Sequence, residues 1–75
     1  MSNVPRISGE EAIKAFGCVG FRVARINGSH HILKREGTPA LLSIPVHRGK
    51  TIGIGLLRSQ IDAAKMTVKE FKELL

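Results

Sequence analysis

The sequence predicts an α+β fold in which helices cover one face of a small antiparallel sheet. Its 75 residues show helical spacing of apolar residues near both ends and three β-type segments between them. Capping-box patterns open the first and last helical segments, and an Asn-Gly dipeptide separates the first two β-type segments. The expected order is α-β-β-β-α-α in a single domain over residues 1–75. The second face of the sheet is expected to lie open to solvent or a partner.

The first helix is expected to begin at Ser8-Gly9-Glu10-Glu11, where a hydroxyl and a carboxylate can bond early backbone amides. The apolar stripe that follows at helical spacing is Ala12, Ile13 and Phe16. Few residues follow before the glycine-rich end of this segment, so a short helix is predicted.

Two more helices are expected after the β-type segments. The first covers residues 52–64, and its apolar stripe is Ile54, Leu57, Ile61 and Ala64. The second begins at the capping-box pattern Thr67-Val68-Lys69-Glu70. Its predicted inner face is Val68, Phe71 and either Leu74 or Leu75.

Three strands are expected in the middle of the chain, over residues 21–26, 30–35 and 40–46. Asn27-Gly28 favours a type I′ hairpin turn between the first two, because both positions tolerate positive φ. Glu36-Gly37-Thr38-Pro39 turns the chain again. Pro45 lacks an amide donor, so the end of the third strand is expected at a sheet edge. A three-stranded antiparallel meander is the simplest outcome.

The net positive charge of the chain is confined to its middle. Residues 21–60 hold seven basic residues against Glu36 alone, which equals the whole net charge of +6. These seven are Arg22, Arg25, Lys34, Arg35, Arg48, Lys50 and Arg58. A localised positive field attracts phosphate backbones or acidic proteins. With three Phe and neither Trp nor Tyr, a platform for stacking single-stranded bases is not supported.

Cysteine usage and hydropathy exclude several classes of protein. Cys18 is the sole cysteine of the sequence, which rules out an intramolecular disulfide and a thiolate metal cluster. A small buried hydrophobe is its expected role. Residues 1–6 lack the apolar core of a signal peptide, and no run approaches membrane-spanning length. A cytoplasmic protein without membrane contact is therefore expected.

The three histidines, His30, His31 and His47, also lie in the basic middle. Histidine is the side chain best suited to move protons near neutral pH. Adjacent strand residues point to opposite faces, so at most one of His30 and His31 can join the core. The neighbouring residues do not decide which one, and they leave both a structural and a functional histidine open. A zinc site is disfavoured because the two adjacent side chains cannot converge on one ion.

The start of the helix after His47 is a second candidate feature. Gly53 and Gly55 can expose backbone amides close to Lys50, and a helix N-terminus attracts anions. One interpretation is a phosphate seat with Lys50 as its point charge. The other is a flexible loop with solvated cations.

Three segments carry a resemblance when they are taken together and in order. They are Gly28-Ser29-His30-His31-Ile32, Ile44-Pro45-Val46-His47 and Leu57-Arg58-Ser59-Gln60-Ile61. With the fitting segments Ser8-Gly9-Glu10-Glu11, Gly20-Phe21-Arg22 and residues 67–75, the chain resembles the HicA-type toxins of bacterial and archaeal toxin–antitoxin pairs, also called the YcfA-like family. The match runs over nearly the whole chain. The segment Thr51-Ile52-Gly53-Ile54-Gly55 departs from it, because relatives more often carry charged residues there.

The resemblance implies a double-stranded-RNA-binding-like α-β-β-β-α core with a short C-terminal helix. It also implies a toxin of a type II pair, a metal-independent endoribonuclease that cleaves mRNA and is neutralised by a cognate HicB-type antitoxin. No metal and no small-molecule cofactor are expected. In the family the histidine directly after Gly-Ser is catalytic, which here is His30. The Pro-x-His element makes His47 a second recurring histidine with a less defined role.

This chemistry is physically reasonable because RNA carries its own nucleophile, the 2′-hydroxyl. A histidine base would take the 2′ proton while fixed cations stabilise the developing negative charge. The residues expected to contact RNA are Ser29, Arg25, Lys34, His47, Arg48 and Lys50.

Two rival functions remain open from the sequence. A non-catalytic double-stranded-RNA-binding module is one, although the Lys-rich start usual in the second helix of such modules is missing. A domain that docks an acidic protein through its basic face is the other.

Overall fold

The computed structural model describes residues 3–75 and has the predicted element order. The elements are α1 (Gly9–Gly17), β1 (Arg22–Asn27), β2 (His30–Lys34), β3 (Leu41–Pro45), α2 (Ile54–Ala63) and α3 (Val68–Lys72). The α+β class is confirmed, with an α-β-β-β-α order and a short C-terminal helix. The prediction for residues 1–6 falls partly on Met1 and Ser2, which lie outside the described residues. Within the described part of the chain, no helix is long and apolar enough to cross a membrane.

Both predicted capping boxes are present. The Ser8 hydroxyl accepts the Glu11 amide at 3.1 Å, and the Glu11 carboxylate accepts the Ser8 amide at 3.0 Å. Thr67 and Glu70 repeat the pattern at the start of α3, at 3.0 and 2.8 Å. These bonds satisfy amides that a helix start leaves without partners and thereby fix where α1 and α3 begin.

The sheet is a meander with strand order β1-β2-β3, and both strand pairs are antiparallel. β3 is an edge strand, so the predicted edge position of Pro45 is confirmed. The predicted Asn27-Gly28 turn is wrong by one residue. Asn27 pairs with His30 in the ladder, and the two turn residues are Gly28 and Ser29.

The turn also differs in type from the predicted one. Gly28 has φ 64°, and Lys65 is the one non-glycine residue with positive φ among those described. A turn with positive φ at its first central residue alone has the φ pattern of type II′, which needs a glycine there and tolerates Ser29 next to it. His30 is the first residue of β2, as predicted.

The core lies between the helices and one face of β2 and β3. Its fully buried large side chains are Phe16, Phe71, Leu33, Leu42, Ile44, Leu57 and Ile61. The Phe16 ring packs against Phe71 and Phe21, with ring centroids 4.8 and 5.9 Å apart. All six residues of β1 are exposed, so the buried side of the sheet is supplied by β2 and β3.

Three side chains differ from their predicted positions. α2 begins at Ile54 instead of residue 52, and Ile54 is 39% exposed rather than part of the inner face. Ile52 is buried in its place, and its amide donates to the Ile7 carbonyl at 2.8 Å. Cys18 caps the end of α1 and is exposed, so its prediction as a buried hydrophobe is wrong.

The inner face of α3 resolves the remaining choice near the C-terminus. Val68 and Phe71 are buried, Leu74 is half-buried and Leu75 is exposed. Leu74 is therefore the residue that completes the stripe.

Candidate functional site

The two adjacent histidines lie on opposite faces of the sheet, and the register shows which is which. His31 pairs with Ile26 on β1 and with the buried Ile44 on β3, so it faces the helices. His30 pairs with Asn27 and Pro45 and lies on the face without helices. We call this second side the open face. Cross-strand partners share a face, so it also carries Arg25, Ile32, Lys34 and Ser43.

His30 is exposed and has a defined neighbour on the open face. Its Nδ1 lies 3.2 Å from the Ser43 hydroxyl oxygen, one strand away. With Nδ1 held by Ser43, Nε2 is the ring nitrogen left to meet a ligand. His30 is therefore an accessible imidazole with one nitrogen tethered, an arrangement that suits a proton acceptor.

His31 has a different environment. Its side chain is half-buried, and its Nδ1 is buried without a hydrogen-bond partner in the described part of the chain. It packs over Ile44 on the side of the helices. A histidine held this way contributes to packing and presents little of its ring to a ligand.

The hairpin turn and the loop after β3 meet at the end of the sheet where His30 lies. The Val46 amide donates to the Ser29 carbonyl at 2.7 Å, which ties the turn to the loop that carries His47. The Lys50 amide donates to the His47 carbonyl at 3.0 Å, and Gly49 takes φ 73° within this tight turn. The predicted residues Ser29, His30, His47, Arg48 and Lys50 thus belong to one end of the molecule, and the last four are exposed.

Gly9 supports the same end of the sheet, a role the sequence analysis missed. A Cβ at this position would overlap the Pro45 carbonyl oxygen and crowd the Val46 side chain. The start of α1 therefore packs directly on the backbone between β3 and the His47 loop. A glycine immediately after a helix cap is the sequence signal that could have indicated a close approach.

The start of α2 has the electrostatic character expected of an anion site. Gly53 is its N-cap and makes no side-chain cap hydrogen bond, and no acidic residue occupies the first turn. Early amides there are not neutralised by a carboxylate, unlike those of α1 and α3. The helix follows Lys50 by four residues.

The other two predicted cations, Arg25 and Lys34, lie on the sheet itself. Arg25 pairs with Ile32 and follows a β-bulge in β1, so it lies on the open face near the middle of β2. Lys34 is four residues along β2 from His30, roughly 13 Å at the usual strand rise. It borders a separate cleft of about 440 Å³ near the turn between β2 and β3. Lys34 therefore shares the open face with His30 without being next to it.

Three cations of the basic middle already have protein partners. Arg35 places its guanidinium 4.7 Å from the centroid of the Phe21 ring and donates to the Val19 carbonyl at 3.3 Å. Arg22 and Arg58 form exposed ion pairs with Glu36 and Asp62, at 3.7 and 3.5 Å. Arg35 thus has a structural role, whereas the two exposed pairs are weak enough to exchange for another anion.

No metal centre is indicated by the described residues. Within residues 3–75, no group of three or more His, Cys, Asp or Glu side chains could hold a metal ion.

Two residues near His30 were not predicted as site residues. Ser43 is hydrogen-bonded to the His30 ring, and Gln60 is hydrogen-bonded to the Ser43 backbone. The alternation of Ser43 with the apolar Leu42 and Ile44 was the available signal for a polar side chain on the open face.

Comparison with known proteins identifies the family of the chain. A family model described as the HicA toxin of bacterial toxin–antitoxin systems matches residues 9–66, from the start of α1 to just before the cap of α3. No curated protein matches the chain significantly. The family match covers most of the chain, including all three strands and the loop that carries His47. The chain therefore belongs to the HicA toxin family of bacterial toxin–antitoxin systems.

Proposed function

We propose that this toxin is a metal-independent endoribonuclease that cleaves mRNA with His30 as its general base. The observation that carries the proposal is the exposed His30 ring on the open face, tethered through Nδ1 with Nε2 available. A net charge of +6 concentrated in residues 21–60 supports an RNA substrate, because a phosphate backbone is attracted to such a field.

The reaction uses a nucleophile that the substrate supplies. His30 takes the proton of a ribose 2′-hydroxyl, and the oxygen attacks the adjacent phosphorus. The bond to the 5′-oxygen breaks, and that oxygen takes up a proton as it leaves. The products carry a 2′,3′-cyclic phosphate and a 5′-hydroxyl. Since both bond changes occur within the RNA chain, no metal-bound water is required.

Fixed positive charges stabilise the negative charge that develops on the phosphoryl oxygens. Arg25 lies on the open face with His30, and Arg48 and Lys50 lie on the loop tied to the hairpin turn. The uncapped start of α2 offers backbone amides to a neighbouring phosphate. His47, on the same loop, either donates the proton to the leaving oxygen or holds a phosphate. Ser29, on the hairpin turn, and Lys34, further along the open face, are the remaining proposed RNA contacts.

The proposed partner is a cognate HicB-type antitoxin with an acidic surface, and the proposed place of action is the cytoplasm. The open face is free of helices and rich in cations, so an acidic protein can cover His30 and compete with RNA for the same charges. Neutralisation by steric cover needs no change in the fold of the toxin.

Induction of the toxin in growing cells tests the proposal. Wild type is expected to arrest growth and fragment mRNA, and His30→Ala is expected to do neither while its circular dichroism and melting temperature stay close to wild type. His31→Ala is the matched control and should remain toxic. RNA cleavage by folded His30→Ala at the wild-type rate would refute the role of His30. Binding of RNA without cleavage by the wild type would favour the non-catalytic alternative.

Chelation tests the metal-free mechanism separately. Cleavage by purified protein is expected to survive EDTA, because Glu36 is the sole acidic residue in the basic middle of the sequence. Loss of cleavage on chelation, restored by magnesium or manganese, would exclude the mechanism.

A further inference from the structure

A continuous set of hydrogen bonds connects helix α2 to the His30 ring. The Ser43 hydroxyl oxygen lies 3.2 Å from His30 Nδ1. The Ser43 amide, which faces away from β2 on this edge strand, donates to Gln60 Oε1 at 2.9 Å. Both the side chain and the backbone of Ser43 are therefore engaged, one toward the open face and the other toward α2.

The orientation of the Gln60 side-chain amide is determined by its partners. A backbone N–H can only donate, so the atom that faces Ser43 must be the amide oxygen. The amide nitrogen then donates to the Ser59 hydroxyl at 3.3 Å, and that hydroxyl donates to the Leu56 carbonyl at 2.8 Å. Gln60 is thus fixed at both ends and seals the amide that an edge strand leaves unpaired.

The hydrogen bond to Ser43 accounts for a polar residue at position 60 of α2. The neighbouring Ile61 and Leu57 are fully buried against the core, and Gln60 is half-buried beside β3. An apolar residue at this site would pack against the strand without accepting the Ser43 amide. The polar side chain is explained by the hydrogen bond it accepts.

We propose that Ser43 and Gln60 are positioning residues for His30. Ser43 accepts a hydrogen bond from Nδ1–H, which leaves the lone pair of the imidazole on Nε2, and Gln60 holds Ser43 in the place where it can do so. The catalytic consequence of this positioning rests on the proposed ribonuclease function. The effect of Ser43 on the tautomer of His30 does not depend on that function.

The direction of the Ser43–His30 hydrogen bond decides which nitrogen can act as a base. If Nδ1–H donates, Nε2 is unprotonated and can take a proton from the 2′-hydroxyl. If the Ser43 hydroxyl donated instead, Nε2 would carry the hydrogen and the neutral ring would have no free lone pair. A free histidine side chain favours the Nε2–H form, so a majority of the Nδ1–H form must be imposed by a neighbour such as Ser43.

Nitrogen-15 NMR of the histidine rings, at a pH where His30 is neutral, tests the proposal without RNA. The wild type is expected to show mostly the Nδ1–H form at His30. Ser43→Ala should shift His30 toward the Nε2–H form, and Ser43→Thr, which keeps the hydroxyl, should restore it. The His47 ring in the same samples is an internal reference that should not change. A wild-type His30 mostly in the Nε2–H form, or a ratio unaffected by Ser43→Ala, would overturn the role of Ser43.

The role of Gln60 has its own pair of variants. Gln60→Met keeps the length of the side chain and removes the acceptor, whereas Gln60→Glu keeps an oxygen for the Ser43 amide. A partial shift toward the Nε2–H form is expected in Gln60→Met and none in Gln60→Glu. Equal tautomer ratios in Gln60→Met and wild type would remove Gln60 from the assignment.

RNA cleavage provides the second readout. Ser43→Ala is expected to slow cleavage roughly two- to tenfold, the size of one net hydrogen bond, with the effect in kcat rather than KM. If the tautomer shifts as expected and neither wild type nor variant cleaves RNA, the positioning is correct and the ribonuclease function is wrong. If cleavage requires His30 but is unchanged in Ser43→Ala, the ribonuclease function stands and the positioning role is wrong.

Discussion

The two faces of β2 place adjacent histidines in different environments. On the open face, His30 is exposed and bonded to Ser43, and Lys34 lies further along the same side. On the side of the helices, His31 is half-buried with an unpartnered Nδ1, and Leu33 is fully buried. Two histidines that are neighbours in sequence therefore have separate environments, because alternate strand residues face opposite sides.

The same division runs through β3. Leu42 and Ile44 are buried under the helices, and Ser43 between them faces the open side and contacts His30. One side of the sheet thus supplies stability, and the other supplies polar and cationic groups. Substitutions on the side of the helices should therefore lower the stability of the fold. Substitutions on the open face should affect RNA binding and cleavage.

The largest expected effect on stability comes from the buried side of β2. Leu33→Ala should lower the free energy of unfolding by about 2–5 kcal/mol, because Leu33 is fully buried and its removal leaves a cavity. Ile32→Ala, next to it on the open face, should cost about 1 kcal/mol or less, since Ile32 is only half-buried. Urea denaturation of both variants measures the difference. Equal losses would mean that the open face is also part of the core.

Charge reversal on the His47 loop should affect binding without unfolding the protein. Arg48→Glu with Lys50→Glu is expected to weaken RNA and antitoxin binding together, each by roughly 10- to 100-fold, because charge-assisted contacts become repulsive. Binding should also weaken as salt rises. Titrations of RNA and antitoxin against the double variant measure both affinities.

A matched control changes the net charge equally at α3. Lys69→Glu with Lys72→Glu alters two exposed residues outside the sheet and should leave both affinities nearly unchanged at moderate salt. Lost RNA binding with unchanged antitoxin affinity in the Arg48 and Lys50 variant would show that the antitoxin docks elsewhere. The shared-face model would then be abandoned.

The smallest expected effect is on the stability of the protein at low pH, and it comes from the capping box of α3 and not from the sheet. The Thr67 amide donates to the Glu70 carboxylate at 2.8 Å, and this bond is the main reason that the pKa of the carboxyl lies below its ordinary value of 4.5. Hydrogen bonding by the Thr67 side chain lowers the pKa further. A carboxyl whose pKa is lowered by folding contributes stability above its unfolded pKa and loses it as pH falls through the folded pKa. The melting temperature should therefore decline below about pH 4.5.

Two glutamates on and after α3 separate this contribution from general acid effects. Glu70→Gln should flatten part of the acid decline, and Glu73→Gln, outside the capping box, should not. Thermal melts between neutral pH and pH 3 make the comparison. If the melting temperatures of wild type and Glu70→Gln fall equally with decreasing pH, the Glu70 capping box does not contribute to the acid dependence.

Local patterns were sufficient to predict most of the fold. Ser8 and Thr67 marked two helix starts because a capping box is encoded within four residues. The start of α2 carries no such cap, and there the predicted boundary and the burial of Ile54 were wrong. The turn shifted by one residue: Gly28 is its first central residue at φ 64°, the position that a type II′ turn reserves for glycine, whereas the Asn-Gly pattern had favoured type I′.

The candidate site was less predictable because it depends on contacts between distant residues. Parity could not choose between His30 and His31, since the choice required knowing which side the helices cover. Ser43 and Gln60 contact the site across 13 and 17 residues of chain, and no local pattern encodes those pairs. Arg35 looked like one more surface cation until its contact with the Phe21 ring was known.

The cleavage rate of purified His30→Ala against His31→Ala, on one RNA in the presence of EDTA, tests the account most directly. We predict a loss of roughly 10²–10⁴-fold for His30→Ala, the usual contribution of a general base. His31→Ala should cleave within a few-fold of wild type wherever it remains folded. Full activity in folded His30→Ala, or loss of activity in folded His31→Ala alone, would contradict the assignment of catalysis to the open face.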